Sequence, residues 1–226
     1  LALLRQTDGV AAQVLENLTG CMFSIHTGDS LTKVKDESKI WFFAQAWNFD
    51  ELIARVDPQK DVDGFSEQSP YEKATALAVW EMLTAFAYLE GFSKTEEFLK
   101  GKKIVVLGRG KTAGGPTIEL LKNHGFEVIV IAHDTPDPNT IIKSGDVVIS
   151  ATGVKNIVNE SNIKKGAYVV GVGVGREIVD GKKRIYGDIN EEEISKLTKL
   201  YCPTVGGIGP LTIVSLLINV IESASL

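Results

Sequence analysis

Residues 103–108, Lys103-Ile104-Val105-Val106-Leu107-Gly108, run as an almost wholly apolar stretch straight into a glycine-rich turn. A strand that is apolar on both faces needs cover on both faces. A parallel sheet with helices above and below provides it. Residues 127–132, 146–151 and 167–172 have the same texture, and helical patterns at 117–123, 139–143, 191–197 and 211–222 alternate with or follow them. This order predicts an α/β protein: a Rossmann-like, doubly wound parallel sheet domain plus a smaller α/β N-terminal domain, with a cleft between them.

The front of the chain reads differently. Helix formers at 7–18 stop at Gly20, short strands are expected at 21–25 and 40–44, and a helix at 50–56 is stopped by Pro58. From 71 to 89 the residues Leu77, Trp80, Met82, Leu83, Phe86, Ala87 and Leu89 recur at helical spacing, and the helix is expected to end at Gly91. The expected organisation is an N-terminal domain over 1–97, a dinucleotide-type domain over 98–213, and a helix over 214–226 that packs back on the first domain. No internal repeat is visible.

Composition excludes several classes. The chain has 226 residues, 44% hydrophobic and 23% charged, with a formal net charge of −5. No strongly basic stretch exists, so nucleic acid is not an expected partner. Cys21 and Cys202 are the two cysteines, far apart and without metal-type spacing. They read as reduced thiols of a cytoplasmic protein, and neither they nor His26, His124 and His133 form a metal set. No apolar run of membrane-spanning length and no signal peptide is read, so no membrane association is expected. The chain begins at Leu1.

The turn Gly108-Arg109-Gly110-Lys111-Thr112-Ala113-Gly114-Gly115-Pro116 sits between a strand and a helix. Glycines there let the backbone approach a pyrophosphate, and the helix N-terminus supplies amide donors and a favourable dipole. The alternative is a tight turn that binds nothing. An ATPase loop is excluded, because Gly108 stands too close to Gly110-Lys111 for that motif. Asp134, at the end of the second strand, has the position of an acidic residue that bonds a ribose 2′-hydroxyl and repels a 2′-phosphate, which favours NAD. Its other reading is a turn residue before Pro136. Arg109 argues for NADP instead, since it can pair with a 2′-phosphate. Thr152 and Gly153 follow the third strand on the edge where ligands bind in such sheets.

These blocks, taken with three others, resemble the bifunctional methylenetetrahydrofolate dehydrogenase/cyclohydrolase family. Lys60-Asp61-Val62-Asp63-Gly64-Phe65 matches its KDVDGF motif, Gly187-Asp188-Ile189 its GDV step, and Val205-Gly206-Gly207-Ile208-Gly209-Pro210-Leu211-Thr212 its PGGVGPMT motif. The resemblance implies two α/β lobes, a homodimer, and oxidation of 5,10-methylenetetrahydrofolate to the methenyl form in one-carbon metabolism, with hydride passed to NAD or NADP. It implies that Gln45 assists the catalytic lysine and that Asp63 binds the pterin ring. Together with the readings above it places Gly108, Arg109, Gly110, Asp134 (where the family usually has a serine), Thr152, Gly153, Val174 and Gly207 at the cofactor, and Gly206, Gly207, Gly209, Pro210 and Thr212 in the loop against cofactor and folate.

The sequence departs from the family in its front part. Counting back from Gly20, Asp8 and Ala12 stand where the family has Tyr-x-x-x-Lys, Ala46-Trp47-Asn48 replaces the leucine-proline run, and Val205 replaces a proline. A lysine acid/base is central to cyclohydrolase proton transfer, so its loss argues against that activity, whereas hydride transfer does not require it. The alternative is a catalytically impaired dinucleotide-binding module of the same fold. A shikimate dehydrogenase-type enzyme is disfavoured by the loop at 206–212.

Overall fold

The computed structural model describes residues 53–224, Gly181 apart. Gln45 and the expected elements at 7–18, 21–25 and 40–44 lie outside the described residues, as do Asp8, Ala12, Cys21 and His26. Two compact units are present: one holds the described residues up to Ala74 together with those from Ile213, the other is Thr75–Thr212.

The second unit is built on a five-stranded parallel sheet. Strands β1 (Ile104–Leu107), β2 (Val128–Ile131), β3 (Val147–Ser150), β4 (Tyr168–Gly171) and β7 (Leu200–Cys202) lie in the order β2-β1-β3-β4-β7. Alternate residues feed two cores. Ile104, Val106, Val147, Ile149, Tyr168 and Val170 pack on one face, with Val79, Leu83 and Phe86 of helix α1 (Ala74–Leu89), Phe98 and Leu99 of α2 (Thr95–Leu99), and Leu121 of α3 (Gly114–Asn123). Val105, Leu107, Val148 and Val169 pack on the other, with Ile142 of α4 (Pro138–Ser144) and Ile194 of α5 (Glu191–Ile194). Each fully buried branched side chain contributes roughly 1.5–3 kcal/mol of transfer free energy, so the two-sided pattern selects this layered arrangement. His124, just after α3, stacks on Trp80 of α1 at 3.8 Å between ring centroids.

The four strands read from sequence for the second unit are present, each trimmed at its ends. Three elements went unread. Helix α2 is one, strand β7 another. The third is an antiparallel hairpin of β5 (Val174–Val179) and β6 (Lys182–Gly187), with Val174 paired to Gly187 and Arg176 to Ile185. Helix α1, assigned from sequence to the front domain, belongs with the sheet from Thr75 onward.

In the first unit, Val62, Tyr71 and Ala74 pack with Leu216 and Val220 of helix α6 (Gly209–Ser223). The Asn219 side chain donates to the carbonyls of Val62 and Glu72, each at 2.9 Å. One expectation needs correction. Residues 204–223, which join a distorted turn at Thr204–Ile208 to the 15-residue α6, have mean hydropathy 1.9 and pass for a membrane-crossing helix by length and composition, although Val205 and Gly206 interrupt the helix. The count from sequence missed it because glycines and Pro210 break up its apolar residues. Its buried positions include Ser215, Leu216, Asn219 and Val220, the last three of them bonded or packed within the first unit as described.

Candidate functional site

In a parallel sheet every strand ends on the same edge, so the loops after β1, β2, β3, β4 and β7 converge there. The order of the sheet also places a switch point between β1 and β3, which receive their connections from opposite sides. Gly108 follows β1 with φ 90°, a backbone conformation that favours glycine. Its amide donates to the carbonyl of Ile131 at 2.8 Å, and a Cβ on it would stand 2.5 Å from the carbonyl oxygen of Ala151. The ends of β1, β2 and β3 are thereby held together at this residue.

Helix α3 begins at Gly114, earlier than the 117 expected, and no side chain caps its first turn. Gly114 lets it start there: a Cβ would lie 2.7 Å from the carbonyl carbon of Gly108. Around Gly110, by contrast, no atom lies within 4 Å of an added Cβ, and Arg109 and Gly110 are exposed. The turn therefore combines a tightly nested base with an open rim at Gly110, where there is room for a phosphate, while at the helix start the Gly115 amide already donates to the Gly110 carbonyl at 2.9 Å and Pro116 carries no amide hydrogen. Gly114 was not singled out from sequence, because its spacing from Gly110 breaks the simple glycine pattern.

Asp134 is exposed in the turn after β2. That turn is stapled by the amide of Ala132 donating to Thr135 Oγ1 at 2.8 Å and the amide of Thr135 donating back to the Ala132 carbonyl at 3.1 Å. Asp134 thus shares the edge with Gly108 and takes no part in that staple. Thr152 and Gly153 sit just beyond β3, where Thr152 Oγ1 accepts from the amide of Val154 at 3.1 Å. Val174 opens β5 and is 57% exposed.

The loop after β7 is a distorted turn over Thr204–Ile208 in which Gly206 has φ 85°. Thr204 anchors it: the residue is buried, and a Cβ on Gly187 would stand 2.5 Å from its Oγ1. Beneath Gly207 lies Cys202, whose thiol is pushed up to about 11 by burial. Gly209 and Pro210 start α6, and the Thr212 hydroxyl donates to the carbonyl of Ile208 at 3.0 Å. Gly108, Arg109, Gly110, Asp134, Thr152, Gly153, Val174, Gly206, Gly207, Gly209, Pro210 and Thr212 all lie in the second unit, on or next to the loops of this edge.

Asp63 lies in the first unit. The turn around it is organised by buried Asp61, whose Oδ2 accepts from the amide of Ser66 and whose carbonyl accepts from the amide of Gly64 at 3.0 Å and the Ser69 hydroxyl at 2.8 Å. The half-buried Asp63 carboxyl is pushed up to about 7, chiefly by burial and then by the neighbouring Asp61 charge. A carboxyl so poised can exchange hydrogen bonds with an amino-pyrimidine edge.

Residues 74–226 match the model of the tetrahydrofolate dehydrogenase/cyclohydrolase NAD(P)-binding domain. Among curated relatives, the bifunctional protein FolD of Janthinobacterium sp. is 34% identical over 174 residues, 77% of this chain and 60% of that protein. The FolD of Bacillus licheniformis is 35% identical over 173 residues, 76% of this chain and 60% of that protein. The chain therefore spans about 60% of the length of the curated relatives it matches. Among solved structures, the bifunctional FolD dehydrogenase/cyclohydrolase of Campylobacter jejuni superposes with a TM-score of 0.72 at 27% identity, covering 95% of this chain and 72% of that one. The Trypanosoma brucei methylenetetrahydrofolate dehydrogenase-cyclohydrolase, solved with NADP and an inhibitor, gives 0.73 at 26% identity, covering 96% of this chain and 73% of that one. The chain belongs to the tetrahydrofolate dehydrogenase/cyclohydrolase family, and its residues 74–226 correspond to that family's NAD(P)-binding domain.

Proposed function

We propose that this chain oxidises 5,10-methylenetetrahydrofolate to 5,10-methenyltetrahydrofolate, a hydride leaving the methylene carbon for the nicotinamide ring. The observation that carries the reading is the meeting of the Gly108 turn, the N-terminus of α3 and the Thr204–Ile208 loop at one sheet edge, in a chain of this family. Bound there, the nicotinamide supplies the hydride acceptor. The protein supplies binding, orientation and exclusion of water. Gly108, Arg109 and Gly110 with the α3 N-terminus hold the pyrophosphate, Thr152, Gly153, Val174 and Gly207 line the cofactor, and Gly206, Gly209, Pro210 and Thr212 border the folate. Asp63 receives the 2-amino-pyrimidine edge of the pterin, and the resemblance gives Gln45 the role of assisting a catalytic lysine.

NAD is the proposed cofactor. An exposed carboxylate at Asp134 accepts from a ribose hydroxyl and repels a 2′-phosphate. Cyclohydrolase activity is weak or absent, since the sequence has Asp8 and Ala12 where the family places its tyrosine and lysine. The protein works as a cytoplasmic homodimer. Ile178 and Ile185 are exposed on one face of the β5–β6 hairpin, alongside Arg176 and Lys183, a mixed face open to a second copy.

Mixing the purified protein with methylenetetrahydrofolate and following nicotinamide absorbance tests the reading. Reduction of NAD in preference to NADP is expected. No reduction of either by folded protein contradicts it and leaves a binding module.

A further inference from the structure

The carboxylate of Asp188 is fully buried and faces no cation partner among the described residues. Burying a carboxylate without a counter-charge is costly, so the bonds it makes instead define its role. One oxygen, Oδ2, accepts from the Ser150 hydroxyl at 2.8 Å and from the backbone amide of Thr152 at 2.7 Å. The other oxygen makes no hydrogen bond of good geometry, although the Gly153 amide and the Thr152 hydroxyl also favour the ionised carboxylate. Desolvation raises the pKa of the group.

The surroundings show what these bonds hold. Asp188 directly follows β6, and Gly173 directly precedes β5, so the two residues form the root of the hairpin. A Cβ on Gly173 would stand 2.6 Å from Asp188 Oδ1 and 2.5 Å from the amide nitrogen of Gly153. The Gly173 amide donates to the Ser150 carbonyl at 3.0 Å. On the far side of the same turn, the amide of Asn156 donates to the Gly187 carbonyl at 3.2 Å, and that of Val158 to the Asp188 carbonyl at 3.1 Å. The segment after β3 is thus tied to residues 187–188 at both ends, and Thr152 is reached by a side chain alone.

We propose that Asp188 is a positioning residue for dinucleotide binding, fixing the Thr152–Gly153 turn at the sheet edge from the root of the β5–β6 hairpin. The proposal rests on the dinucleotide reading above. A carboxylate acceptor holds a backbone amide more strongly than a neutral one, so the turn is set before the ligand arrives and less binding free energy is lost in ordering it.

The test uses the chain with D188A and D188N. NAD affinity is measured by calorimetry, and hydrogen exchange of residues 150–158 is followed without ligand. D188A is expected to weaken NAD binding about tenfold or more and to speed exchange in 150–158 while β1 and β2 keep their protection. D188N, which retains an acceptor for both donors, stays within about threefold of the wild type. D188A that binds NAD as the wild type does, or that loses protection across the whole sheet, overturns the proposal. If D188A does not fold, the Thr152 amide proton decides: it moves upfield in D188N if the carboxylate holds it, and an unchanged resonance overturns the assignment. A wild-type protein that binds neither NAD nor NADP contradicts the functional reading itself. The exchange comparison of unliganded proteins still decides whether Asp188 holds the turn.

Discussion

Gly114 packs against the carbonyl of Gly108 so closely that a side chain on Gly114 would begin 2.7 Å from the Gly108 carbonyl carbon. The start of helix α3 and the end of strand β1 are therefore one packed unit, and the open part of the turn, proposed to face the dinucleotide, lies elsewhere, at Gly110. Two alanine substitutions separate these roles. G114A is expected to destabilise the protein by about 1–3 kcal/mol through overpacking. G110A, in open space, is expected to melt at or above the wild-type temperature yet bind NAD about tenfold more weakly, because a methyl group intrudes on the pyrophosphate. Thermal melts and NAD titrations of both variants check this. The reverse pattern contradicts it.

The two hydrogen bonds from Asn219 to the Val62 and Glu72 carbonyls close the loop that carries Asp63 onto α6. Removing them leaves two carbonyls without these donors. N219A is expected to cost about 2–4 kcal/mol of stability, read by urea unfolding. N219D is expected to cost more, since it sets a carboxylate against the same carbonyls. A loss below about 0.5 kcal/mol in N219A contradicts this role for Asn219.

Asp63 sets a pH dependence whose sign is defined. Its folded-state value of about 7 stands above the ordinary 3.8, so the neutral form is the one the fold favours. Its contribution to stability is full below the ordinary value and is lost as pH rises through about 7. D63N removes this dependence. The melting temperature of D63N relative to wild type is therefore expected to rise between pH 4 and pH 8. A constant difference over that range contradicts the assignment. Folate binds the ionised carboxylate in this account, so its affinity for the wild type falls below about pH 7.

At the end of β2, the charge of Asp134 is proposed to select the dinucleotide. D134S is expected to narrow the preference for NAD over NADP about tenfold or more, mostly by improving NADP binding as the repulsion of the 2′-phosphate is removed. Parallel titrations with both cofactors measure it. An unchanged ratio shifts the selection to Arg109.

Much of the second unit was legible in the sequence because its central strands β1, β3 and β4 are buried on both faces and, like half-buried β2, read as continuous apolar runs. The hairpin was not. Val174-Gly175-Arg176-Glu177-Ile178-Val179 and Lys182-Lys183-Arg184-Ile185-Tyr186-Gly187 are solvent-exposed and charged, so no apolar run marks them. The available signal was Asp180-Gly181, a dipeptide suited to a two-residue hairpin turn. Strand β7 is only three residues long and follows a charged helix, which hid it. At the site, the glycine turn and the loop after β7 were visible as motifs. Gly114, Asp188 and Asn219 were not assigned roles, because each acts through contacts with residues that are distant in sequence or that break the simple motif. A polar Asn219 within the apolar run of α6 was the one local hint.

The most direct test of the central claim is transfer of a labelled hydride. Protein, NAD and methylenetetrahydrofolate deuterated at its methylene carbon are mixed in a single turnover, and the nicotinamide is recovered for mass spectrometry. The account predicts reduced NAD carrying one deuterium. Unlabelled, unreduced NAD from folded protein that binds the dinucleotide contradicts it.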